Sequence, residues 1–247
     1  MVIEFDIRDW SACAPGLIAR QSWLDWGRDP WLPAGSESPP LAAMSPMLRR
    51  RTGDLGPFAL NPVYSCDVAR HVPMVFASRH GEVGRAWQLL EQLAAGEPLS
   101  PMLFTLAVHN AIGALYSIDR GHTTNIQALA AEHETVEAGL VEAAGLLADG
   151  HDEVLLVHYD APLPHAYQNF AGEPACFYAW AWRIGRPADA GVRFSLSRER
   201  ASAQAEPAPS ALPHGLDVLQ FMLGGSSRLV HRGPRANWVW RRHGRAD

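Results

Sequence analysis

Ser100-Pro-Met-Leu-Phe-Thr-Leu-Ala-Val-His-Asn-Ala-Ile-Gly-Ala-Leu-Tyr-Ser-Ile118, with Asn125-Ile-Gln-Ala-Leu-Ala-Ala-Glu-His-Glu-Thr-Val-Glu-Ala-Gly-Leu140 after it, is the stretch on which the fold class turns. Phe104, Val108, Ala111, Leu115 and Ile118 recur at three- and four-residue steps and predict one helix over 104–118. Small residues at Ala107, Ala111, Gly113 and Ala114 suit a helix buried on several faces. Residues 125–131 read as a short strand. Residues 135–148 carry the clearest helical stripe, Val136, Leu140, Ala143, Ala144 and Leu147, with Gly150 as the stop. The apolar run at 153–159 is a buried strand. The order is therefore helix, strand, sharp junction, long helix, strand.

Outward from this stretch the pattern continues. Residues 2–8 alternate as a strand, and 17–26 form a short helix with Leu17, Trp23 and Trp26 as its apolar points. Residues 29–46 are a loop rich in Pro, Gly and Ser, and Arg49-Arg-Arg51 opens a helical stretch. Residues 72–78 are a buried strand. Residues 84–95 follow as an amphipathic helix, with Val83, Trp87, Leu90 and Ala94 on one side. Later strands are expected at 175–184 and 191–197, a linker at 201–213, a helix at 216–223 and an Arg-rich end over 226–247. Strands separated by helices predict an α/β layered fold with a mixed sheet.

The 247 residues are 47% hydrophobic and 19% charged, which excludes a disordered polyelectrolyte. All 21 basic residues are Arg, and the net charge of -5 argues against a nucleic-acid partner. Cys13, Cys66 and Cys176 are far apart and form no CxxC, which suggests neither a zinc ribbon nor a redox pair. The charged opening segment is no signal peptide, and no apolar run reaches the ~18 residues of a membrane span. A cytoplasmic location is expected.

The layout resembles the N-terminal half of the β-ketoacyl synthases, which have the thiolase-like layered α/β/α fold. It is most similar to their short chain length factor relatives of aryl polyene and xanthomonadin-type pathways. The resemblance rests on Ser100-Pro101, Phe104, Ala107-Val-His-Asn-Ala111, Tyr116-Ser-Ile118, Ala130-Ala-Glu-His-Glu-Thr135 and Tyr159-Asp-Ala-Pro-Leu-Pro164. The opening, with Trp10 and Ala14-Pro-Gly16, also fits. It implies a synthase-like domain over 1–185 and a C-terminal extension over 186–247.

In the synthases a nucleophilic Cys stands at the strand–helix junction. Here that junction falls at Glu132, His133 and Glu134, with Glu132 and His133 both candidates for the Cys position. Without a thiolate there is no covalent acyl-enzyme. The resemblance therefore implies a non-catalytic subunit, without cofactor or metal. Its implied partners are a β-ketoacyl-[acyl carrier protein] synthase, in a heterodimer for fatty acyl or polyketide elongation, and the acyl carrier protein. It places Phe104, Val108, His109, Asn110 and Ile112 at the acyl tunnel or partner interface, with Phe104, Val108 and Ile112 as the wall that limits chain length. Arg228, Arg232, Arg235, Arg241 and Arg242 are expected to meet the carrier protein or the partner. Two other functions stay open: a stand-alone acyl-thioester decarboxylase or hydrolase working through Glu132 or His133, and a carrier-protein scaffold. Trp180, Trp182, Trp238 and Trp240, with neighbouring Arg, read either as a recognition surface or as strand packing.

Overall fold

The computed structural model describes residues 2–188, 192–200, 210–233 and 236–244. Its elements are β1 (Val2–Cys13), α1 (Arg20–Trp26), α2 (Pro46–Arg49), α3 (Leu55–Cys66), β2 (Met74–Ala77), α4 (Val83–Ala94), α5 (Pro101–Thr105), α6 (Ala111–Arg120), β3 (Ile126–Leu129), α7 (Thr135–Ala148), β4 (Glu153–Asp160), β5 (Tyr178–Gly185), β6 (Arg193–Arg200), α8 (His214–Gly224), β7 (Arg228–Arg232) and β8 (Ala236–His243). The strands make one mixed sheet in the order β3-β2-β4-β5-β1-β6-β8-β7. β3, β2 and β4 run parallel, while every pairing from β4–β5 to β8–β7 is antiparallel.

Side chains of successive strand residues point to opposite faces, so the sequence itself builds two cores. Val75, Ala77, Val154, Leu156, Trp180 and Trp182 join α7, α8 and α1 on one face. Met74, Phe76, Leu155, Val157, Ala179 and Ala181 join α3 and α6 on the other. The result is the expected three-layered α/β/α arrangement. Trp180, Trp182, Trp238 and Trp240 are all buried, with Trp180 and Trp182 stacked at 4.2 Å, so they pack the core and form no recognition surface.

The segment after residue 185 supplies β6, α8, β7 and β8 to this same sheet and core, through Phe194, Leu216, Leu219 and Trp240 among others. The expected boundary at 185 therefore coincides with no break in the sheet. Most of the expected linker, residues 201–209, lies outside the described residues. Among the described residues no helix is long and apolar enough to cross a membrane.

Two helix expectations change. The helical stretch foreseen from Arg49 stops there as α2, and Gly53, at φ +62°, separates it from the buried α3. The single helix over 104–118 is two. Ser100 caps α5 by accepting from Leu103 N at 3.3 Å, and α6 starts afresh at Ala111. The turn between them carries His109, whose Nε2 meets the Leu129 carbonyl at 2.9 Å and fastens the turn to the end of β3.

No residue from 83 to 110 is fully buried. The apolar stripe expected on α4 is only partly covered: Val83 and Trp87 are half-buried, Trp87 against Tyr167, while Leu90 and Ala94 are exposed. Leu90, Leu93, Leu99, Met102, Phe104 and Val108 are all exposed.

Candidate functional site

The parallel strands β2 and β4 end side by side, and the chain leaving β2 is folded back by one carboxylate. Asp160 accepts from Ser78 Oγ at 2.9 Å and from the backbone N–H groups of Arg79 and His80 at 3.2 Å each. Ser78 Oγ in turn accepts from Gly81 N at 2.7 Å. Gly81 is required here: its φ is +53°, and a Cβ would lie 2.5 Å from His109 Nδ1. Burial pushes the Asp160 carboxyl up to about 7, against the three donors that favour its charged form.

The Ser78–Gly81 turn aims Arg79 across the end of the sheet. Its guanidinium donates to the Ala171 carbonyl at 2.6 Å, to Glu173 Oε1 at 3.4 Å and to His133 Nε2 at 3.2 Å. Since Arg79 can only donate, His133 Nε2 accepts and the ring is neutral. Burial, and then the Arg79 charge, lower the His133 pKa in agreement.

Between β3 and α7 the chain turns sharply through Glu132–Glu134. Glu132 has φ +51°, a left-handed conformation that costs a non-glycine residue about 1–2 kcal/mol. Thr135 ties the turn: its Oγ1 donates to the Glu132 carbonyl at 2.7 Å and accepts from Ala131 N at 3.0 Å. The Glu132 and His133 side chains are exposed, and Glu134 is half-buried.

Beneath the junction lies a buried polar seam. His158 Nε2 meets the Tyr178 hydroxyl at 2.9 Å, and burial brings its pKa down to about 3, so the imidazole is neutral. Gly215 packs so closely that a Cβ there would lie 2.4 Å from His158 Nε2. One turn into α7, the fully buried Glu137 gathers three donors on Oε1: His214 Nε2 at 2.7 Å, His231 Nδ1 at 3.1 Å and Trp240 Nε1 at 3.0 Å. Burial opposes ionisation of Glu137, but the charge and hydrogen bonds of the two histidines, His214 foremost, hold its carboxyl well below the usual range.

Arg79, His133, His158, Asp160 and Glu173 enclose about 10 Å³ at the junction, room for about one water. Cys13, Cys66 and Cys176 are buried elsewhere, and burial pushes each thiol up to about 12, away from thiolate chemistry.

A family model described as the β-ketoacyl synthase N-terminal domain matches residues 23–241. The chain belongs to that family. Its thiolase-like fold recurs in the solved structures it is similar to. One is a chain of the complex of a ketosynthase (ApeO) with its chain length factor (ApeC) from Xenorhabdus doucetiae, at 29% identity and a TM-score of 0.79. That match covers 97% of this chain and 99% of that one. The ishigamide ketosynthase/chain length factor matches at 16% identity and a TM-score of 0.61, over 81% of this chain and 68% of that one. A type II acyl-carrier protein complex with its ketosynthase bound to the hexaketide matches at 10% identity and a TM-score of 0.59, over 81% and 70% of the two chains. These last two share the fold. A comparison with curated protein sequences gave no match.

Within this β-ketoacyl synthase-like domain, the residues singled out in the sequence do not form one wall. Phe104 and Val108 stand on the surface and Asn110 is exposed. His109 is half-buried on the Leu129 carbonyl, and Ile112 is buried in the core against α3. Of the arginines, Arg228 and Arg232 are exposed on β7, and Arg235 lies outside the described residues. Arg241 is engaged with Ser197 Oγ at 3.2 Å and Glu199 at 3.4 Å. Arg242 donates to the Phe221 and Met222 carbonyls at the end of α8 and lies over the Phe194 ring. Sequence reasoning missed Arg79, Glu137, His214 and His231. One signal was available for Glu137, a lone acid beside Val136 and one turn before Leu140 on the buried side of a helix.

Proposed function

We propose that this chain is a chain length factor subunit that pairs with a β-ketoacyl-[acyl carrier protein] synthase and limits its product by steric means. One observation carries the reading. Residues 83–110 form a helical hairpin without a single buried residue, presenting six large apolar side chains to solvent. Apolar patches of that kind mark protein interfaces. The hairpin adjoins β3, whose outer edge pairs with no strand among the described residues, and His109 ties the two together. An open edge beside an apolar face is a surface that a second subunit covers.

Two further features favour an accessory role over catalysis by this chain. The junction offers Glu132, in a strained turn, and His133 where a nucleophile would stand, and the space beside them has room for about one water. The similarity over nearly the full length of both chains to a chain from a ketosynthase–chain length factor complex points the same way. In this reading Phe104 and Val108 face the partner and close the far end of its acyl channel, while Ile112 supports them from the core. Among the described residues, Arg228 and Arg232 are the arginines of that set left to meet an acidic carrier protein, since Arg241 and Arg242 are engaged within the chain. The product class that fits the resemblance is a polyene-type acyl chain.

The test is co-expression with the ketosynthase encoded beside it, followed by size exclusion with mass detection. A one-to-one complex is expected, with condensation activity that disappears when the partner's nucleophilic cysteine is replaced. Phe104→Ala in that complex should yield longer products. Absence of a complex, or thioester cleavage by this chain alone that is lost in Glu132→Gln, would overturn the reading.

A further inference from the structure

Glu137, His214 and His231 come from α7, α8 and β7, and nothing in the proposed function uses them. A carboxylate without solvent exposure is costly unless both oxygens are satisfied. Glu137 is only half satisfied: Oε1 takes three donors, while the equally buried Oε2 has no partner among the described residues. His214 Nε2, His231 Nδ1 and a Glu137 oxygen all lie within 4.8 Å of one another.

We propose that Glu137, His214 and His231 bind a divalent transition-metal ion, zinc by the chemistry of the donors, as a clasp that fastens α7 to α8 and β7. Two imidazole nitrogens and one carboxylate are a recurrent three-residue zinc set that leaves a fourth position for water. The histidine nitrogens now stand 2.7 and 3.1 Å from Oε1. Ligands of a tetrahedral zinc, with bonds of ~2.0–2.1 Å, are separated by roughly 3.3–3.4 Å. Each nitrogen therefore moves from Oε1 by less than about an ångström, the imidazoles splay from their 3.6 Å stack, and the ion takes the place of the two N–H protons aimed at Oε1, each of which shifts to the other ring nitrogen or leaves to solvent. Trp240 Nε1, at 3.0 Å from Oε1, orients the carboxylate from behind, as outer-shell donors do. A cleft of about 310 Å³, lined by His133, Glu173 and Asp217 together with His214 and His231, opens onto the cluster and supplies the entry path and the water position. The set itself is not legible from spacing, because its members are 77 and 17 residues apart.

The experiment uses the full chain with any affinity tag removed, so that tag histidines do not contribute. It is incubated with zinc sulfate, passed into metal-free buffer and assayed for bound zinc. One zinc per chain is expected, with a rise in melting temperature on zinc addition and, with cobalt(II) in its place, the visible bands of a four- or five-coordinate ion. His231→Ala truncates a mostly buried side chain on the edge strand β7 and should fold, but lose at least tenfold in zinc affinity along with the thermal shift. Glu137→Gln should do the same. Failure of the parent chain to retain zinc would overturn the proposal. So would retention of one zinc, with the same thermal shift, by His231→Ala or by a folded His214→Ala.

Discussion

Asp160 shows how a single buried group sets local geometry at a thermodynamic cost. Its carboxyl holds the Ser78–Gly81 turn, yet its folded pKa of about 7 lies above the ordinary aspartate value of about 4. The folded chain thus holds this proton more tightly than the unfolded one, and its contribution to stability declines as pH rises from about 4 to about 7. Asp160→Asn should be less stable by about 1–3 kcal/mol, because its amide would face the Arg79 N–H. The gap to the parent chain should narrow as pH rises through that window, measured by urea unfolding at several pH values; a gap independent of pH would refute this account. Glu132 makes a second prediction at this scale. Glu132→Gly relieves the left-handed backbone and should stabilise the chain by about 1 kcal/mol, seen as a higher melting temperature. The same change in the synthase complex should leave condensation intact if the residue only shapes the turn.

At the scale of elements, α4 and α5 stand apart from the other α-helices among the described residues. Their apolar residues follow helical spacing, yet none is buried. Leu93→Glu or Phe104→Glu should therefore change the stability of the isolated chain by no more than about 0.5 kcal/mol while abolishing the complex with the synthase. Ile112→Ala, eight residues beyond Phe104 but inside the core, should cost about 2–5 kcal/mol of the chain's own stability. Unfolding curves and pull-down on the same three variants separate an interface from a core. If all three destabilise the chain alike, the hairpin is core after all.

For the whole molecule, the sheet draws strands from both ends of the sequence. β1 lies between β5 and β6, and β8 pairs with β6, so the chain after residue 185 supplies the last three strands at one end of the sheet. A chain cut after residue 185 would leave Phe5, Trp10 and Trp182 without Phe194, Leu219 and Trp240 over them. Such a truncation should be insoluble, or lack a cooperative unfolding transition by circular dichroism. A truncated chain that melts cooperatively would establish 1–185 as an independent domain.

The sequence by itself determined the layers. The apolar runs at 72–78 and 153–159 declare strands buried on both faces, the alternation at 175–184 a further strand, and the stripe at 135–148 a helix with one apolar side; burial follows from that locally. The junction at Glu132–Glu134 was legible for the same reason, as the short link between a strand and a helix. Tertiary structure alone decided the break in the helix expected over 104–118, because the bond from His109 to the Leu129 carbonyl joins residues 20 apart. It also decided which apolar helix is core and which is surface, since an amphipathic stripe specifies that something must cover it but not what. The Arg79 contacts and the Glu137–His214–His231 cluster belong to the same class. Each gathers side chains separated by many residues, and only the folded sheet brings their atoms within bonding distance.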